Sequence, residues 1–129
     1  MTQIIFYLNQ ADQEIDAATL LLENTYYRAC ISRCYYSIYC ATQALLISKN
    51  IKTSTHRGIR QQFGQYFIQT GELSSELAKA MRITYDLRQL GDYDQLIKIT
   101  QQQAQTALTY AKMFIEEAKK WLNKRNKIP

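Results

Sequence analysis

The chain has 129 residues, is 47% hydrophobic and carries a formal charge of +5. That length suits a single domain over residues 1–129 with a real core. One proline and four glycines leave little to interrupt long helices, and no run has the length and apolarity of a membrane span.

In chain order, the first predicted helix covers residues 4–23. Ile4, Leu8, Ala11, Ile15, Ala18 and Leu22 alternate steps of four and three, a seam that fits a long partner helix. Residues 1–27 carry Asp12, Glu14, Asp16 and Glu23 but no Lys or Arg. They lack the basic start of a secretory signal, and the expected compartment is the cytoplasm. Asn24 and Thr25 make the turn.

The second helix covers residues 26–49 and is the element on which the others are expected to pack. Cys30, Cys34, Ile38, Ala41 and Leu45 lie on one face, and Ile31, Tyr35, Tyr39, Ala44 and Leu46 fill much of the rest. A helix apolar on nearly every side is a buried one. Its similar length to the first helix predicts an antiparallel hairpin. All three cysteines, Cys30, Cys34 and Cys40, fall in this stretch. Their spacing suits no disulfide, and they read as small buried hydrophobes. With His56 as the only histidine, the spacing matches no zinc pattern either. No metal or other cofactor is expected.

Thr53, Ser54 and Thr55 can each cap a short third helix near His56. Ile59, Phe63, Tyr66 and Phe67 form its apolar side, and Gly71 stops it. A fourth helix covers residues 74–90, with Leu77, Met81 and Thr84 inward and Lys79, Arg82 and Asp86 opposite. The inward stripe continues onto Arg88. Gly91, Asp92, Tyr93 and Asp94 then read as a break, with Gly91 letting the backbone turn. The last helix covers residues 97–123, with a seam of Ala104, Leu108, Ala111, Ile115, Ala118 and Leu122. Its basic end (Lys119, Lys120, Lys124, Arg125 and Lys127) reads first as a solvated helix terminus and second as a phosphate-binding tail. The expected fold class is all-α, an antiparallel up-and-down bundle of about five helices around a central buried one.

The candidate chemistry sits at residues 85–93. A guanidinium at an inward position must meet an anion. Two readings are open: an ion pair with Asp92, one helical turn on, or a phosphate gripped by the fork of Arg88. Tyr85 and Tyr93 would then add rings or hydroxyls to the ligand site. The ten tyrosines also suggest a core with wet edges, such as a cleft or a homodimer interface.

Several segments carry a family likeness. They are Ala29-Cys30-Ile31-Ser32-Arg33-Cys34-Tyr35-Tyr36-Ser37-Ile38 with Ala44-Leu45-Leu46, then Thr55-His56-Arg57-Gly58-Ile59, then Gly71-Glu72-Leu73, then Arg88-Gln89-Leu90-Gly91-Asp92-Tyr93. Together they resemble the HEPN domain (higher eukaryotes and prokaryotes nucleotide-binding) over about residues 14–93. The resemblance implies a helical bundle, usually a homodimer with a cleft between protomers. It also implies a nucleotidyltransferase partner in a two-component, toxin–antitoxin-like system, and a nucleotide or RNA as ligand. Many members of the family are metal-independent ribonuclease toxins, in which an arginine is followed a few residues later by a histidine. Arg88 matches that arginine, whereas Tyr93 stands where the histidine is expected. Free tyrosine, with pKa about 10, is a poor base at neutral pH. The family's AMP-modified tyrosine falls at Gln95 here, so that modification is not carried over. The expected catalytic residues are Arg88, Asp92 and Tyr93. The expected ligand-binding residues are Arg88, Tyr93, Tyr85 and His56. Three readings result: a ligand-binding subunit, a ribonuclease with Asp92 or Tyr93 in an altered role, and a helical interaction module in which Arg88 pairs only internally.

Overall fold

The computed structural model describes residues 1–93 and 96–129. Among these, five α-helices and no strand occur: α1 (Thr2–Glu23), α2 (Tyr27–Ser48), α3 (His56–Phe63), α4 (Ser75–Tyr93) and α5 (Gln101–Lys124). The class is all-α, as the periodicity predicts. No helix among the described residues is long and apolar enough to cross a membrane.

α1 and α2 form the predicted antiparallel hairpin. Ser37 Oγ donates to the Ala11 carbonyl at 2.8 Å, and Arg33 reaches Glu14 at 2.8 Å, so rising numbers on one helix meet falling numbers on the other. Thr25 closes the turn in a left-handed conformation, φ +67°. α2 is the centre: Cys30, Cys34, Ile38, Ala41, Ala44, Leu45 and Leu46 are fully buried. Each buried Ile or Leu contributes about 1.5–3 kcal/mol. The polar residues on α2 are satisfied locally; Thr42, for example, donates to the Ile38 carbonyl. The cysteines are free, and Cys40 is only half-buried. Burial, with a smaller push from the Glu14 carboxylate, raises its thiol pKa to about 11.

Thr55 caps α3, its side chain accepting from the Gly58 N–H at 2.9 Å. Beyond Phe63 the chain widens into a π-helical turn, Gly64–Ile68. The extra residue in that turn keeps Phe63 and Phe67 inward, stacked at 5.8 Å, and swings Tyr66 outward. The apolar side of α3 therefore consists of Ile59, Phe63 and Phe67 without Tyr66. Gly71, at φ +78°, ends the segment as predicted.

Two boundaries differ from the expectation. α4 does not break at Gly91 but runs through Asp92 and Tyr93. Gly91 is buried against Arg28, whose Nη1 and Cγ would lie 3.3 and 3.4 Å from an added Cβ. Its use is close approach, not a turn; Asp94 lies outside the described residues. α5 begins four residues later than predicted, at Gln101, because Thr100 and Gln103 form a reciprocal capping box. Every member of the α5 seam is buried, joined by Phe114 and Trp121. The basic end is mostly tied down: Lys119 pairs with Asp12 at 2.7 Å, Lys120 with Glu116 at 3.3 Å, and Arg125 covers the Trp121 ring.

Candidate functional site

Helical spacing builds the site from three directions. On α2, Tyr35 and Tyr36 are adjacent and Tyr39 lies one turn on, so their rings form one aromatic platform at an edge of the bundle. On α4, Tyr85 and Arg88 are three residues apart and face that platform. On α3, His56 and Arg60 are four apart and share a face.

Arg88 lies across the rings. Its Cζ is 5.0 Å from the Tyr35 centroid and 4.9 Å from that of Tyr36. Its Nη2 donates to the Tyr36 hydroxyl at 3.4 Å, a long bond. Asp92 approaches Nε at 3.3 Å, the pairing expected one turn on. The approach is poorly aligned, and the buried Nε–H makes no hydrogen bond among the described residues. The pair is not sealed, since the Arg88 side chain is 24% exposed and that of Asp92 47%.

His56 closes the other side of the platform. Its Nδ1 is 3.1 Å from the Tyr35 hydroxyl, and its ring stacks on Tyr39 at 4.4 Å. The ring also meets Tyr36 edge-on at 6.1 Å. Partial burial, followed by the charges of Arg88 and Arg60, pushes the imidazole pKa below its usual value. Burial raises the Tyr35 phenol pKa, opposed by a hydrogen bond from Arg60 and by the charges of Arg60 and Arg88. Arg60 stacks on Tyr85 at 4.1 Å and, unlike Arg33 and Arg88, has no carboxylate partner among the described residues. A shallow cleft of about 210 Å³ beside it is lined by Arg60, Met81, Arg82 and Tyr85.

The structure thus brings together Arg88, Asp92, Tyr85 and His56. Tyr93 stands apart: it is 93% exposed and makes no hydrogen bond among the described residues. Gln95 lies outside the described residues. Arg60 was not singled out in the sequence, although its four-residue spacing from His56 is a visible signal. The arrangement can hold an anion between two guanidinium groups and stack a flat ring, with an imidazole beside both.

The comparisons give this arrangement a family. The HEPN domain model matches residues 5–121. The chain belongs to the HEPN family. The match reaches well beyond residues 14–93, taking in α1 and most of α5. Relatives of this HEPN chain include two proteins of Methanocaldococcus jannaschii. "Putative toxin MJ0142" is 33% identical over 92% of this chain and 81% of its own length. "Putative toxin MJ0605" is 34% identical over 87% and 83%. A Thermotoga maritima relative, "UPF0332 protein", is 28% identical over 91% and 89%.

Proposed function

We propose that this HEPN chain is a toxin-like protein that binds the phosphate of a nucleotide or RNA on the Arg88 face. In this reading it works as a homodimer, paired with a nucleotidyltransferase. The observation that carries the proposal is the state of Arg88. Its guanidinium is spread over Tyr35 and Tyr36 with one buried N–H unmatched and an imperfect, half-open carboxylate contact. A buried charged donor left unmatched is costly, and a phosphate oxygen would satisfy it. Arg60 adds an uncompensated charge, and Tyr85 offers a ring. Asp92 holds the fork until the ligand arrives, and Tyr93 is placed to stack at the exposed helix end. The toxin names of the two Methanocaldococcus relatives support the toxin-like part of the reading.

A labelled single-stranded RNA and a labelled ATP, each titrated by fluorescence anisotropy, test this. Binding that weakens with salt and is lost in Arg88→Ala is expected. The reading fails if neither probe binds. A second reading, metal-independent RNA cleavage, is favoured by one observation: the imidazole absent from the Arg88 segment is present beside it, on α3.

A further inference from the structure

We infer that His56, delivered from α3, is the proton acceptor for cleavage of an RNA strand held by Arg88. The inference rests on the RNA reading of the Arg88 face and deepens it. Any base next to Arg88 must be held in place, carry a free lone pair and remain neutral near pH 7.

The geometry meets each demand. Tyr35 fixes one nitrogen, Nδ1, at 3.1 Å, and Tyr39 fixes the ring plane by stacking at 4.4 Å. Of the two tautomers that the Tyr35 contact permits, the one with its proton on Nδ1 donates to the phenol oxygen. It leaves the Nε2 lone pair open, and Nε2 makes no hydrogen bond among the described residues. The groups facing the ring are Tyr35, Tyr36 and Tyr39 from α2, Arg60 from its own helix and Arg88 from α4. The two cations both oppose a third positive charge, so the imidazole is neutral at physiological pH. They are also the two groups suited to gather a phosphate, so the lone pair and the anion fall on the same side of the platform. The α4 alternatives are weaker. Tyr93 faces solvent, and Asp92 is engaged with Arg88.

The step balances. His56 Nε2 takes the proton of a ribose 2′-hydroxyl, and the 2′-oxygen bonds to phosphorus. The P–O5′ bond breaks and the 5′-oxygen leaves with a proton from water. The imidazolium then returns its proton to solvent. The products are a 2′,3′-cyclic phosphate and a 5′-hydroxyl. Tyr35 acts as a positioning residue.

The test uses the whole protein, His56→Asn and His56→Gln, with a labelled single-stranded RNA and its 2′-deoxy counterpart in EDTA. Binding, cleavage and thermal unfolding are all measured. The wild-type protein should cut RNA but not the 2′-deoxy strand, with a rate that falls at acid pH through one titration below about 6.5. Both variants should lose about a hundredfold or more in rate while binding RNA within about twofold of wild type. Tyr35→Phe should move the acid limb. Variants that cut within about threefold of wild type overturn the inference and leave the binding reading standing. So does a wild-type protein that binds RNA without cutting it. If RNA does not bind at all, the inference falls together with the RNA reading. The acid limb of the wild type is read without any variant, so a variant that fails to fold does not rescue the idea.

Discussion

Replacing Arg88 by alanine separates a ligand grip from an internal strut, because the two roles predict different ratios of lost stability to lost affinity. The internal contacts can be sized. The Asp92 pair is half-open, and exposed pairs contribute about 0.2–1 kcal/mol. The two ring contacts, at 5.0 and 4.9 Å, add about 0.5–1 kcal/mol each at partly exposed sites. The 3.4 Å bond to Tyr36 is too long to add much. Arg88→Ala should therefore cost about 1–3 kcal/mol, a fall in Tm of roughly 4–12 °C for a domain of this size. Loss of a charge-assisted bond to phosphate should cost about 1.5–3 kcal/mol in binding, roughly ten- to 150-fold in Kd. Arg88→Lys should keep most of the stability but recover little affinity, because an ammonium lacks the planar fork. Asp92→Asn is the sharper control: removing the competing carboxylate should tighten RNA binding, while an internal strut would simply weaken. Calorimetry and anisotropy at one salt concentration read both quantities. A fall of more than about 5 kcal/mol in stability for Arg88→Ala, with affinity unchanged while the protein is folded, would refute the reasoning.

Three further outcomes concern His56, the α5 cap and the two helical-end glycines. The folded pKa of His56 lies below its unfolded value of about 6.5, so in that window the unfolded chain binds more protons. Its stabilising contribution is present above about pH 6.5 and is lost as pH falls, and denaturant midpoints should decline there more steeply in wild type than in His56→Gln. Thr100→Ala removes the hydroxyl half of the α5 capping box and should cost about 1 kcal/mol in thermal unfolding, with RNA binding unaffected. The glycines should differ in the same assay. Gly91→Ala should change stability by less than about 1 kcal/mol, since the helical gain offsets a tight contact with the Arg28 side chain, whereas Gly71→Ala, at positive φ, should cost about 1 kcal/mol or more.

The helices were legible because burial repeats at helical spacing, and the seams of α1, α2 and α5 fall where the steps of three and four put them. The misplaced details have local causes. Gly91 read as a break because glycine is usually a stop. Whether it ends a helix or admits a neighbour depends on Arg28, a residue on α2 that no window around Gly91 contains. Tyr66 read as inward because the three-residue step from Phe63 assumes an α-helical turn, which the π-helical segment replaces. The start of α5 carried its own signal, Thr100 with Gln103 three residues later, but Ile97 and Ile99 mimic helical spacing just before it.

The site was only half legible, and the missing half explains the puzzle of Tyr93. Within the α4 segment alone, Arg88 has no histidine after it, so tyrosine takes the histidine's place as candidate base. Periodicity along one helix cannot register that α3 crosses the same tyrosines of α2. His56 lies 32 positions from Arg88 in the chain, yet both rest on Tyr35 and Tyr36. Once the platform is seen as the organising element, the choice of base rests on acidity and access. A phenol with pKa about 10 holds its proton at neutral pH, and Tyr93 points into water. An imidazole tethered at Nδ1 and flanked by two guanidinium groups is neutral there and has a lone pair to offer. The arginine and the proton acceptor need not share a helix, only a surface, and three tyrosines of α2 provide it.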